Sequence, residues 1–560
     1  MLQNNPIRKH KNIMNLEKMG SKYPSRLSFS RSMLRRMIKE KWKIKKNKFR
    51  IDKKGYGYAI YEITAKNEIY SLICFSEYLK DSERSDRVIA EKWDTSYTLH
   101  VGKIDNKSIK RLKQNIPLQE SGRASSKELV LSRANKSVRL FEKVVDSLSN
   151  GIQPEINEIN KVGYLLRTTA VYGSGKFGLS DFAKTKKYKI FNQPFRAEML
   201  AVYIIREFSV DLVEHIAFHR NPKKAVKLQK EIKQHLGIGN STGLGMAPFL
   251  IKHPKLIHQW VYQYENAIMT IRKIRYIKKE IFVKYLFLLE KSKKYLEEVL
   301  TSDKQQQNKN IRALKDLVII INKLKKMNLN KINWSNIIDY CENKFSYDAQ
   351  EIIKVQMLEL YPKLVDNLAE NMSISDELKI KNHLTVRNLK KMIEKYYKWA
   401  IQINYKNKNN NFLFWYTSEE KLEPRLGERY NEPGSKLEQP LGIGKMVNEI
   451  YNFLCKLNKK QLSLTIAEFL ILYPKFRGIV RRIHSLSDYQ YAEIKENILA
   501  KNILATNMLR FKLSFFGASR FDPKSDRWLR VSFYNGAPFY NDINTRNVDQ
   551  WGFNSIKPYN

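Results

Sequence analysis

Three stretches near the amino terminus, KFRIDKKGYGYAIYEI (48–63), NEIYSLICFSEYL (67–79) and EKWDTSYTLHVGK (91–103), are rich in β-branched and aromatic residues and bounded by Gly, Asn and Asp. That pattern predicts a small antiparallel sheet. Elsewhere the apolar positions fall at helical spacing. Leu34, Met37, Ile38 and Trp42 mark one helix; Val138, Phe141, Val145 and Leu148 mark another that stops at Asn150-Gly151. Ile156, Ile159, Val162 and Leu166 are also spaced for a helix, and 195–219 reads as one long helix. Segments 271–300 and 312–327 predict a helical hairpin about the polar loop SDKQQQNKN (302–310), without a sustained heptad. Toward the end only WLRVSFY (528–534) is strand-like.

The predicted fold is therefore α+β and predominantly helical, a small N-terminal antiparallel sheet followed by a large helical body. Its expected parts are a flexible basic arm (1–24), a small α+β sheet domain (25–115) and a helical core with two Gly-rich turns (116–270). A charged helical hairpin region (271–411) and a C-terminal part (412–560) follow. The last holds an acidic loop, helices and short strands packing back on the core.

Composition adjusts this picture in three ways. At 560 residues with 42% apolar and 12% aromatic side chains the chain has ample material for folded cores. A formal charge of +46 invites a nucleic-acid reading, yet lysine outnumbers arginine more than twofold. Arginine is the better reader of phosphate and guanine, so dispersed lysine tells less than the total suggests. Cys74, Cys341 and Cys455 are far apart and form no paired framework, and no run of eighteen apolar residues occurs. The expectation is a cytoplasmic protein that neither crosses nor enters a membrane.

Candidate chemistry lies in the middle third. Gly173, Gly175 and Gly178 fit G-x-G-x-x-G, but the helical spacing before them argues against a dinucleotide fold, and Phe177 after Lys176 argues against a P-loop. What survives is a glycine turn presenting Lys176 near Arg167 and Thr168 to an anion. In the second turn, Asn240, Ser241 or Thr242 is expected to cap a helix starting near Gly243, whose free N–H groups attract a carboxylate or phosphate. The ordinary reading of both turns is an inter-helix connection. On the 195–219 wheel, Glu207, Asp211, Glu214, His215 and His219 form one polar stripe, more simply solvated than metal-binding. Glu198 and Arg206 fall instead in the apolar sector with Val202, Ile205, Val213 and Ile216. Buried charge must pair, lie at an edge, or line a cavity. The functional choice is a cavity facing the glycine turns, with Glu198 and Arg206 as catalytic candidates. Downstream of Pro117, the segment 119–137 reads as a Ser-rich linker with a helix cap, or as a phosphate-handling loop carrying Arg123 and Arg133. The Glu/Arg-rich segment 419–438 reads as a self-neutralising loop or as a cover for the site.

No metal signature, nucleophile triad or cofactor lysine emerges, and no cofactor is assigned. The leading expectation is an anionic small-molecule ligand held in a central pocket, favouring an enzyme of open reaction class. The alternatives are a nucleic-acid-binding protein and a non-catalytic helical scaffold, with homo-oligomerisation through 271–345.

Overall fold

The computed structural model describes residues 26–80, 93–114, 125–168, 187–193, 195–243, 254–299, 304–328, 332–366, 372, 379–407, 443–491, 517–523 and 528–551. For 240–243, 254, 305, 443, 518–523 and 528–530 it describes the backbone alone. The chain divides into two compact units. The larger holds 20–242, 267–371 and 510–560; the smaller holds 1–19, 243–266 and 372–509.

The larger unit begins with helix α1 (Phe29–Lys39) and the strands β1 (Lys43–Ile51), β2 (Gly57–Ala65), β3 (Glu68–Ser76) and β4 (Thr95–Val101). These four form the expected antiparallel meander. The sheet does not stop there. Helix α2 (Asn106–Gln114) leads to β5 (Glu128–Lys136), and helices α3 (Phe141–Ser149) and α4 (Ile156–Val162) lead to β6 (Tyr164–Thr168). Helices α5 (Arg196–Arg220) and α6 (Lys230–His235) lead to β7 (Gly237–Gly243), and β8 (Ala518–Pro523) and β9 (Trp528–Phe533) complete nine strands in the order β1-β2-β3-β4-β5-β6-β7-β9-β8. The mixed α+β class holds, with most of the structured residues helical, but the sheet is mixed and far from small.

Three expectations about this region are corrected. The 119–137 linker contains β5, whose short apolar run Leu129-Val130-Leu131 is followed by Ser132, Arg133 and Asn135, so that no apolar alternation spans the strand. Leu166 is in β6, because α4 ends at Gly163 in the left-handed conformation (φ 75°) and the chain turns extended there. Gly237–Gly243 is a strand rather than a turn capping a helix. Its glycines serve close approach: a Cβ on Gly239 would stand 2.6 Å from the Tyr164 ring, and one on Gly237 would strike the Phe533 carbonyl and Asn535.

The strands β6 and β7 are parallel, joined by a crossover through α5. Helix α5 packs on one face of the sheet, where Phe208 meets the Tyr97 ring and Asp211 accepts a 2.5 Å hydrogen bond from Tyr61. Helix α2 covers the opposite face, setting Ile109 and Leu112 on Ile60, Ile73 and Phe75. Along α5 nearly every residue from Arg196 to Val213 is buried, so the helix is enclosed all round.

Helices α7 (Lys279–Glu298) and α8 (Lys304–Lys326) pack together as the expected hairpin, with α9 (Trp334–Lys344) and α10 (Tyr347–Leu360) beside them. The polar tract placed in the connecting loop belongs to α8 from Lys304 onward. In the smaller unit, α11 (Val386–Tyr396), α12 (Ile443–Cys455), α13 (Ile466–Leu472) and α14 (Arg477–Asp488) close over Leu389, Ile393, Val447, Ile450, Phe469 and Ile483. Thr385 and Thr465 each cap a helix through a capping box and are bridged to one another. Among the described residues no helix is long and apolar enough to cross a membrane.

Candidate functional site

The pleat of β4 and β5 sorts their side chains by parity. Tyr97 and Leu99 point toward α5, so Ser96, Thr98 and His100 point to the other face. Register then carries that face across the sheet: Ser96 is opposite Arg133, Thr98 opposite Leu131, His100 opposite Glu128, and Asn135 opposite Arg167 of β6. On the β2–β3 side this face is apolar and covered by α2. On the β4–β5–β6 side it is polar, and it is buried nonetheless: Ser96 and Thr98 are 0% exposed, His100 4%, Asn135 2% and Arg167 6%.

Within that polar strip, the Ser96 and Thr98 hydroxyls and the His100 Nδ1 have no hydrogen-bond partner among the described residues. A buried donor or acceptor left unsatisfied costs about 1–3 kcal/mol, and natural folds keep few of them. Three at successive inward positions of one strand are a marked concentration. At one end of the row His100 Nε2 lies 3.8 Å from Glu128, whose carboxylate accepts 2.6 Å from Arg111 and also from the Ser125 amide. Burial opposes charge on Glu128, but the bonds from Ser125 and Arg111 outweigh it and hold the carboxyl below its usual range. Burial likewise lowers His100, against the pull of Glu128, so the imidazole is neutral near pH 7. At the other end stand Arg133 and Arg167. Asp94, just before β4, has one carboxylate oxygen engaged by the Lys136 amide at 3.0 Å.

The strip has a defined place in the topology. Arg167 is one residue from the end of β6, and β5 from Arg133 to Glu128 continues beyond that end. The row thus begins at the carboxyl end of the parallel pair β6–β7, where open sheets with crossovers ordinarily bind ligands.

Of the residues singled out from sequence, Arg167 belongs to this strip. Thr168 faces the other way, its hydroxyl 2.7 Å from that of Ser132 and donating to the Arg133 carbonyl. Gly173, Gly175, Lys176 and Gly178 lie outside the described residues, as does 419–438. Asn240, Ser241, Thr242 and Gly243 form the backbone of β7, and β7 pairs with the strand that feeds the first glycine segment. Glu198 (1% exposed) and Arg206 (0%) are interior. They sit on α5, across the sheet from Arg167, so these three do not share one cavity.

Arg206 also has a structural explanation. It donates from Nε to the Leu236 carbonyl at 2.6 Å and from Nη2 to the Gln234 carbonyl at 3.0 Å, closing the end of α6, with the Phe539 ring 3.8 Å away. Burial lowers its pKa to about 10, which leaves it charged. Next to it Glu207 accepts from the Tyr540 amide at 2.9 Å, and burial pushes its carboxyl up to about 8. The stripe expected to be solvated is instead largely covered. Asp211 binds Tyr61 and Lys46, His215 Nε2 is 3.0 Å from the Asp52 carbonyl, and the His215 and His219 rings meet edge on.

Ser96, Thr98, His100 and Asn135 were not legible as site residues. A polar residue at every second position of a strand ordinarily marks the watered face, and nothing local says that this one is enclosed. No family model matches the chain, and neither a curated protein nor a solved structure matches it.

Proposed function

We propose that this protein binds an anionic small molecule on the polar strip of β4, β5 and β6, as an enzyme acting on that molecule. The observation that carries the reading is the row of buried, unsatisfied groups Ser96, Thr98 and His100 running beside Arg133 and Arg167. Two guanidiniums on neighbouring strands supply charge and directional donors suited to phosphate or carboxylate. A neutral imidazole in the same row favours an enzyme over a plain carrier, since it can accept or donate a proton near neutral pH.

The test is calorimetric titration of the full chain with inorganic phosphate, pyrophosphate and citrate, beside the Arg167→Gln variant. Binding of at least one anion, weakened about tenfold or more by the substitution, is the expected result. No anion binding, or binding that ignores Arg167, removes the reading. Oligonucleotide attachment that persists at about 0.5 M salt would favour the nucleic-acid alternative, because adherence through dispersed lysines fades as counterions compete.

A further inference from the structure

A groove of about 1380 Å³ runs beside α7 in the larger unit and shares no residue with the polar strip. Helix α7 buries Phe282, Tyr285, Leu289, Ser292 and Leu296 on one side. At about 100° per residue, Phe287 falls diametrically opposite the middle of that side, and it is 65% exposed. Lys284 and Lys291 are one turn to either side of Phe287, and Lys294 is one turn further; all four line the groove. Carboxylates line it as well, but they are engaged. Glu359 and Asp549 hold Arg26 and Arg31, Glu290 holds Lys325 at 2.7 Å, and Glu290 and Glu297 share Lys293 at 3.6 Å. Glu298 has a contact of its own. Among the described residues, Lys284, Lys294 and Arg546 meet no carboxylate, and Lys291 donates to the Gln550 carbonyl at 3.1 Å. The groove thus presents surplus positive charge around one exposed aromatic ring.

We infer that the α7 groove binds single-stranded nucleic acid, with a base stacked on Phe287 and successive phosphates at Lys284, Lys291, Lys294 and Arg546. This site is separate from the anion site proposed above and does not rest on it. Small-molecule pockets are mostly apolar and typically about 300–1,000 Å³, whereas this groove is larger and lined mainly by long charged side chains. From Lys284 to Lys294 the helix advances roughly 15 Å, further than one phosphate can bridge. The bases of a single strand are free to stack on an aromatic ring, and cations along a groove follow the backbone without reading sequence. A duplex keeps its bases stacked on one another and offers Phe287 only its backbone. An acidic peptide brings charge but no base to stack. Lysine scattered over a surface says little about a partner, but here three lysines bracket one exposed ring.

The experiment measures anisotropy of a fluorescent oligo-dT ten-mer at about 0.1 M salt, beside a duplex ten-mer and a ten-residue polyglutamate, with AMP as competitor. The variants are Phe287→Ala, the pair Lys284→Ala and Lys294→Ala, and a control pair on α2, Lys107→Ala and Lys110→Ala. All five side chains are exposed, so the folds should survive, and melting temperatures check this. The single strand is expected to bind about fivefold or more tighter than the duplex or polyglutamate, and Phe287→Ala to weaken it about fivefold or more. The groove pair should reduce the slope of log affinity against log salt by about 1.4, and the control pair should leave affinity within about twofold. Carried largely by lysines, the attachment fades by about 0.5 M salt. Duplex or polyglutamate binding as tight as the single strand, a Phe287→Ala chain of unchanged affinity, or a control pair as damaging as the groove pair overturns the inference. So does AMP that displaces the strand at equal nucleotide concentration, which would make the groove a mononucleotide pocket. Absence of oligo-dT binding overturns it too and leaves the anion site untouched.

Discussion

Glu207 shows how far burial moves a single carboxyl. It is 6% exposed, held by the Tyr540 amide, and raised to about 8 chiefly by loss of water. A carboxyl whose folded pKa lies above its unfolded value favours the fold in its protonated form. Its stabilisation is complete below the unfolded value near 4.5 and is lost as pH rises through about 8. Urea unfolding of the parent should therefore show stability declining by about 2–4 kcal/mol from pH 5 to pH 8.5 through this group. Glu207→Gln keeps an acceptor for Tyr540 and should flatten that decline. An unchanged slope in the variant would mean another group titrates. Arg206, one residue away, teaches the complementary lesson: a buried charge found by the helical wheel was explained by carbonyls of α6, which are 28 to 30 residues distant in sequence. The wheel located the anomaly correctly and could not name its partner.

Strand β7 raises the corresponding question about elements. Its composition, GIGNSTG, is that of a loop, and it is a strand because its neighbours come too close for side chains. Gly237 lies against the Phe533 carbonyl and Asn535, whose amide donates to the Gly163 carbonyl at 2.8 Å and the His235 carbonyl at 2.7 Å. Gly237→Ala should cost about 2–4 kcal/mol in chemical denaturation, since both obstructing groups are themselves tied. A loss under about 0.5 kcal/mol would show that the β9 side yields easily. Strand β5 was hidden for a different reason: Ser132, Arg133 and Asn135 give it the look of a linker, and the strands it pairs with, β4 and β6, lie elsewhere in the sequence. The first meander, whose strands are dense in Tyr, Ile and Phe, was legible because local propensity and burial agree there.

Across the larger unit, distant segments are fastened by ion pairs that no local pattern announces. Arg26, Arg31 and Arg35 meet Glu359 in the last turn of α10, Asp366 and Asp549. Asp549 takes bonds from Arg26 at 2.9 Å, Arg31 at 3.0 Å and Arg35 at 2.9 Å. Burial pushes its carboxyl up, but the three guanidiniums outweigh that and leave it at about 2. Such a depressed carboxyl stabilises the fold above its unfolded value near 4 and loses that contribution as pH falls toward 2. Asp549→Asn should lower stability at pH 7 by about 2–3 kcal/mol, leaving guanidiniums short of a counter-charge, and should remove part of the acid lability below pH 4. Equal acid denaturation midpoints for the two proteins would contradict this. Arg31 is 4% exposed and bound to carboxylates more than 300 residues away, partners that helical spacing around Leu34 and Met37 could not reveal.

Residue order alone settled what short-range physics can settle: the mixed class, the aromatic meander, the long central helix and the charged hairpin. Each follows from periodicity and turn residues, whose effects reach only a few positions along the chain. Three-dimensional packing settled which polar residues are enclosed. Ser96, Thr98 and His100 look like any watered edge in the sequence although all three are buried, and Arg167 and Arg206 look like partners until a sheet stands between them. Burial is a property of neighbours brought together from far along the chain, and hydrogen bonds left unmade have meaning only once those neighbours are in place.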